Sequence, residues 1–214
     1  QMESKETEIK PKLLIVTGPQ GSGNHLFAKL FSLHPAVDGW PMLRTEWKGH
    51  HEEPFAPAWD NPTLLKDKPW SKDKYYMTSI SCPYIKGNKP HTPKYNEFIT
   101  EAKKHCDVQI VIIGRDRNIL ETQQNRLRGG HTTPLALEQF SELSKLAPTN
   151  YISQELFFLY GADYMNTISK QLNFPVLCPF EIYKDYLKND SNKPYIRHAE
   201  GKFDNEVKKA CEES

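Results

Sequence analysis

The segment Thr17-Gly18-Pro19-Gln20-Gly21-Ser22-Gly23-Asn24-His25 carries the strongest chemical signal in the chain. It follows an apolar run, Leu13-Leu14-Ile15-Val16, and precedes Leu26, Phe27, Leu30, Phe31 and Leu33, which recur at helical spacing. Strand, glycine-rich loop and helix in that order make an anion site. Glycines let backbone N–H groups converge, and the helix start adds its own unbonded N–H groups and the positive end of its dipole. Gly18 and Gly23 have the spacing of the nucleotide-binding loop G-x-x-x-x-G-K-[ST], with Asn24 in the lysine position and His25 in that of the Mg²⁺-binding hydroxyl. An ATP or GTP enzyme built this way lacks its γ-phosphate clamp and a metal ligand. The plainer alternative is a strand-to-helix turn that binds nothing.

Arg115 follows a second apolar run, Val108–Ile113. An arginine at a strand end presents a planar fork of donors that matches phosphate, whereas an ion pair with Asp116 or a solvated strand end is the plainer alternative. Arg126 and Arg128 read as solvent-facing charges at a helix end. His50-His51-Glu52-Glu53 sets imidazoles beside carboxylates, but no second ligand cluster or H-E-x-x-H spacing accompanies it, so no metal is expected.

These residues need a scaffold, and the composition supplies one. The chain has 214 residues, 37% hydrophobic, 26% charged and 11% aromatic, which suits one globular domain and excludes general disorder. A formal net charge of +1 gives no global field to recruit nucleic acid or an anionic membrane, so an anion must be held locally. The apolar runs fall far short of the roughly 20 residues of a membrane-spanning helix. No apolar leader opens the sequence, and Cys82, Cys106, Cys178 and Cys211 are scattered. These features predict reduced thiols in a cytoplasmic protein.

The expected order is a polar tail over residues 1–12, then a single domain over 13–214 with a long decorated loop region around 41–93. Strands are predicted at Leu13–Val16, Tyr75–Ser79, Val108–Ile113 and Val176–Cys178. Helices are predicted after the glycine loop, over Lys94–Cys106, from a cap at Asn118 to about Arg128, and over Leu135–Leu146, Ile152–Leu172, Ile182–Leu187 and Asp204–Glu213. Continuous apolar strands alternating with helices predict a three-layer α/β fold around a parallel sheet.

On its motifs the chain resembles the sulfotransferases that use 3′-phosphoadenosine-5′-phosphosulfate, as a divergent bacterial- or phage-like member. Gly18–His25 is similar, without a gap, to their 5′-phosphosulfate loop G-P-x-R-S-G-T-T. Gly18, Pro19, Ser22 and Gly23 match, Gly21 stands for the basic residue, and Asn24 and His25 stand for the two hydroxyl residues. Leu33-His34-Pro35-Ala36-Val37 resembles the continuation L-x-x-H-P-x-V. Ile112–Leu120 resembles the R-D-P-R-x-V segment, and Pro179–Tyr186 the late R-Y-E-D-L element.

The resemblance spans about residues 13–187 and implies a P-loop-type fold. It implies that Gly18, Gly21, Ser22, Gly23, Asn24 and His25 hold the 5′-phosphosulfate. Arg115 would hold the 3′-phosphate, with Gln123 eight positions later in place of a serine. Arg197-His198-Ala199-Glu200-Gly201-Lys202 would be a reduced basic loop closing over the donor, through Arg197, Gly201 and Lys202.

The implied chemistry is in-line sulfuryl transfer from that donor, without a metal, to a hydroxyl or amine of a small-molecule or carbohydrate acceptor. Catalysis then consists of deprotonating the acceptor, stabilising the sulfuryl oxygens and neutralising the leaving phosphate. Loop N–H groups do part of the last two, with His25 or Lys202 as candidate cations. The histidine base of K-x-H-x-P members falls on Ser81, while other members use a glutamate whose nearest counterpart is Glu46. His50 and His51 follow in the same loop, with the intrinsic pKa range for general-base work. Trp40, Trp47, Phe55, Trp59 and Trp70 either line an acceptor pocket or pack the long loops onto the sheet. Nucleic acid and membrane are not expected partners. A nucleotide kinase and a non-catalytic donor-binding relative remain the alternatives.

Overall fold

The structure, a computed structural model, describes residues 9–40, 52–130, 132–177, 180–188 and 209. The first strand, β1 (Lys12–Pro19), runs into the glycine loop and α1 (Asn24–Phe31), then into a two-residue strand, β2 (Val37–Asp38). A short helix α2 (Ala56–Asp60) and a 3₁₀ helix (Pro62–Asp67) lead to β3 (Tyr75–Cys82), a small hairpin of β4 (Tyr84–Lys86) and β5 (Lys89–His91), and α3 (Tyr95–Ala102). The remainder is β6 (Asp107–Gly114), α4 (Arg117–Arg128), α5 (Thr133–Leu143), β7 (Thr149–Ser153), α6 (Gln154–Leu172) and α7 (Phe180–Lys188).

Five parallel strands form the central sheet in the order β2-β3-β1-β6-β7. Helices cover both faces, as expected for strands that read as continuous apolar runs. Alternate residues of β1 serve opposite faces. Leu13 and Ile15 join Trp59, Phe98 and Phe140 under α2, α3 and α5, whereas Leu14 and Val16 join Phe27, Phe31 and Phe157 under α1 and α6. The three-layer α/β class is therefore what the sequence predicts, and β1 is central with the glycine loop at its C-terminal end. In the described residues no helix is long and apolar enough to cross a membrane.

Local boundaries differ from expectation for identifiable reasons. Helix α4 starts two residues earlier than a cap at Asn118 implies, because the Asp116 carboxylate accepts the Ile119 N–H at 3.0 Å and caps it. Ile152 lies in a strand rather than a helix: it is buried while its neighbour Tyr151 is 70% exposed, the alternation of a sheet edge. The cap of α6 is Ser153, whose hydroxyl accepts the Leu156 N–H. Within α6 the backbone breaks at Gly161 (φ 53°), where Leu187 of α7 packs against it.

Val176 and Leu177 form no strand; Val176 packs with Phe174 into the core beneath α1 and α6. The described part of the 41–93 stretch carries α2, the 3₁₀ helix, β3 and the hairpin. Its aromatics are structural: Trp59 stacks on Phe98 with centroids 3.7 Å apart, and Phe55 and Trp70 pack beside it. Cys82 and Cys106 are free thiols; Cys178 and Cys211, like the helix predicted at 204–213 apart from residue 209, lie outside the described residues.

Candidate functional site

The glycine loop is a tight turn whose shape the surrounding atoms dictate. The Ser22 N–H donates to the Pro19 carbonyl at 3.1 Å, and the Phe27 N–H closes the first helical turn on Gly23 at 3.0 Å. Gly23 has φ +105° and is the N-cap of α1, a conformation L side chains rarely adopt. A Cβ at Gly18 would lie 2.5 Å from Ser22 Oγ and 3.0 Å from the Ile113 carbonyl, so the loop closes only over a glycine. The initial N–H groups of α1 have no intrahelical acceptor by construction, which leaves the helix start disposed toward an anion.

Asn24 occupies the lysine position of a nucleotide loop and folds back on the backbone. Its Nδ2 donates to the Gly18 carbonyl at 3.3 Å and the Pro19 carbonyl at 3.1 Å. The side chain braces the loop, while its Oδ1, Ser22 Oγ and Gln154 Oε1 are buried without a hydrogen-bond partner among the described residues. One hydroxyl donor and two acceptors around the loop are thus left for another group to satisfy, and such orphans are uncommon in folded proteins. His25 is half-buried and its ring lies 5.5 Å from that of Trp40.

Arg115 reaches this loop from the end of β6. It is 9% exposed, and its Nη1 donates to the Gly21 carbonyl at 2.6 Å and to Gln123 Oε1. The side chain of Asp116 caps α4. The two residues singled out at a spacing of eight, Arg115 and Gln123, therefore meet at the loop tip, where Gln123 packs against Gly21. Arg126 is exposed on the same helix.

Three residues that sequence reasoning missed complete the arrangement. Gln124, fully buried, donates to the Gln20 carbonyl at 2.8 Å and accepts from the Thr132 N–H and the Thr133 hydroxyl, fastening the loop to α4 and α5. Gln154, 3% exposed at the start of α6, packs on Gly23. Glu53 lies on the other flank of β1, beside β3, which among the described residues pairs with β2 only at Tyr75 and Tyr76. Its carboxyl meets β3 directly, accepting the Ser79 N–H at 3.3 Å and the Phe55 N–H at 2.8 Å. Burial pushes it up to about 8, despite those bonds, one from Thr78 and the nearby Lys68 charge. Its only sequence signal is the acidic pair Glu52-Glu53, which says nothing of burial.

Of the other predicted residues, Gly18, Gly21, Ser22, Gly23, Asn24 and His25 form one contiguous loop and helix start. Ser81 is at the end of β3, opposite Gly18, with its hydroxyl donating to the Pro83 carbonyl at 3.1 Å. His34 shapes the turn before β2 by accepting the Ala36 N–H through Nδ1. Glu46, Trp47, His50, His51, Arg197, Gly201 and Lys202 lie outside the described residues. Among the described residues no group of three or more His, Cys, Asp or Glu is placed to hold a metal ion.

Fold and site together define a three-layer α/β protein with a phosphate-loop arrangement at the C-terminal end of its central strand. No protein-family model matches the chain, and no curated protein matches it.

Proposed function

We propose that this protein is a sulfotransferase that binds 3′-phosphoadenosine-5′-phosphosulfate and passes its sulfuryl group to a hydroxyl or amine of a small-molecule or carbohydrate acceptor. The observation that carries the reading is the bond from Arg115 Nη1 to the Gly21 carbonyl, which sets a permanent cation against a glycine loop and a helix start. A phosphate held at the loop and another held at Arg115 and Gln123 would belong to a nucleotide with phosphates on both its 5′ and 3′ oxygens. Loop N–H groups then balance the charge that develops on the leaving 5′-phosphate, which is the largest electrostatic task of such a transfer. The fold-back of Asn24 argues against a kinase, since no ammonium from that position reaches a γ-phosphate.

The test is thermal denaturation with metal-free adenosine 3′,5′-bisphosphate, adenosine 5′-monophosphate and ATP with Mg²⁺. The bisphosphate should stabilise most, by about 2.7 kcal/mol at one hundred times its Kd. Preference for ATP with Mg²⁺ would establish the kinase alternative, and no response to any of the three would reject nucleotide binding. Bisphosphate binding without transfer from a radiolabelled donor to sugars, phenols or peptides would identify a non-catalytic relative.

A further inference from the structure

A cleft of about 430 Å³ opens between α4, α5 and the C-terminal ends of β6 and β7. It adjoins the glycine loop, with Pro19 and Arg115 common to both. Its walls include Ile112, Leu120, Leu137, Phe140 and Tyr151, and Arg117 adds a second guanidinium to that of Arg115. The volume lies in the range of small-molecule pockets.

Two of the wall residues point to a ligand. Leu137 is 55% and Tyr151 70% exposed, although the core needs neither. Helix α5 seals the sheet with Ala136, Phe140 and Leu143. Strand β7 anchors itself with Ile152. Large apolar side chains left in water singly are ordinary; gathered in a concave site with cations, they mark a surface for an apolar body with an anionic end. Among the described residues Arg117 is held by Glu121 one turn away, at 2.7 Å, with its side chain 69% exposed. An exposed pair of this kind is worth so little that an incoming anion competes for it readily.

We propose that this cleft binds a small aromatic anion, an aryl phosphate, sulfate or carboxylate, with its ring against Leu137, Phe140 and Tyr151 and its charge toward Arg117, while Arg115 stays committed to the glycine loop. The assignment goes beyond the sulfuryl-transfer reading and does not need it, since the cleft is formed whether or not the loop holds a nucleotide.

The experiment is calorimetric titration of the full chain with 1-naphthyl phosphate, inorganic phosphate and 2-naphthol. Naphthyl phosphate should bind about tenfold or more tighter than either fragment, because it engages wall and guanidinium together. Leu137→Asp and Tyr151→Ala, both at largely exposed positions, should each weaken naphthyl phosphate about tenfold and leave adenosine 3′,5′-bisphosphate binding unchanged. Arg117→Gln should weaken naphthyl phosphate and not 2-naphthol. Naphthyl phosphate that binds no tighter than inorganic phosphate would overturn the assignment. So would binding that survives both wall substitutions but is lost in Gly23→Ala, which would place the anion in the loop. Loss of bisphosphate binding alone would count against the nucleotide reading and leave the cleft standing.

Discussion

Arg115 and Glu53 are ionisable side chains buried on opposite flanks of β1, and the fold treats them in opposite ways. Arg115 reaches across from β6, keeps its charge and spends its donors on the loop carbonyl of Gly21 and the amide oxygen of Gln123. Glu53, on the β3 flank, is 1% exposed and holds its proton near neutral pH while its oxygens meet the strand edge. A cation is retained where loop and amide oxygens meet it, and a carboxyl is discharged where it completes the hydrogen bonding of backbone N–H groups. The difference follows from chemistry: guanidinium does not give up its proton in proteins, whereas a carboxyl can escape a costly burial by taking one up.

The largest effect that would sharpen this contrast concerns Glu53. Its folded pKa is raised, to about 8, above the ordinary 4.5, so the native state holds a proton that the unfolded chain has released across that window. Stability from this group is complete below about pH 4.5, falls as pH rises, and is lost above about 8, a change on the order of 4–5 kcal/mol. Glu53→Gln is neutral in both states. The dependence of the urea midpoint on pH between 5 and 8 should therefore be much flatter in Glu53→Gln than in wild type. Equal slopes would mean that Glu53 is ionised in the folded protein and the contrast with Arg115 is false.

Arg115 is expected to act on binding. Arg115→Ala removes a charge-assisted contact worth about 1.5–3 kcal/mol, roughly tenfold to over a hundredfold in affinity. The loss should fall on adenosine 3′,5′-bisphosphate and largely spare adenosine 5′-monophosphate. Equal losses for both ligands in calorimetry would mean that Arg115 shapes the loop through Gly21 rather than reading a 3′ group.

Gly23→Ala probes the loop between the two flanks. At φ +105° an alanine is strained, and its Cβ would lie 3.1 Å from Gln154 Nε2. The cost should be about 1–2 kcal/mol of stability. Both nucleotides should lose affinity together, since the loop N–H groups serve the phosphate they share. A variant of unchanged stability and unchanged affinity for both would show that this turn is not the anion site.

How much of this was legible in the sequence depends on which forces act locally. The strand, glycine loop and helix over Lys12–Phe31 and the buried strand β6 were readable because continuous apolar runs and glycine spacing are one-dimensional signals. The family resemblance singled out Arg115 and Gln123, eight positions apart, as holders of one phosphate, but neither the bond between them nor the Arg115-to-Gly21 bond was legible in the sequence. Strand β7 was hidden because Thr149-Asn150-Tyr151-Ile152-Ser153 buries only Ile152 and its other positions face outward or half outward at an edge. Gln124 was missed beside Gln123 because neighbours on a helix point about 100° apart, and no periodicity tells which amide meets the loop. Glu53 was invisible for a different reason. Its environment is made by Thr78 and Ser79 of β3 and by Phe55 at the start of α2, a surrounding that exists only after the chain has folded.

The smallest effect should arise at Asp116, and it tests whether the Arg115 flank is built from α4. Asp116 Oδ1 accepts the Ile119 N–H at 3.0 Å, and its own N–H donates to Glu155 Oε1 at 3.0 Å, so it fixes where α4 begins and how it sits against α6. Gln123 and Gln124 lie two turns along that helix and carry its contacts to Arg115 and Gln20. Removing an N-cap acceptor costs about 1 kcal/mol, or about 2–4 °C in Tm for a chain of this size. Asp116→Ala should lower Tm by that amount, and Asp116→Asn, which keeps an accepting oxygen, should recover most of it. Because the cap positions the helix that presents Gln123, the alanine variant should also weaken adenosine 3′,5′-bisphosphate by a few-fold while adenosine 5′-monophosphate changes little. A normal Tm in Asp116→Ala would show that α4 is held by its packing alone. A normal Tm with weakened bisphosphate would instead show that Asp116 acts on the Arg115 flank without stabilising the fold.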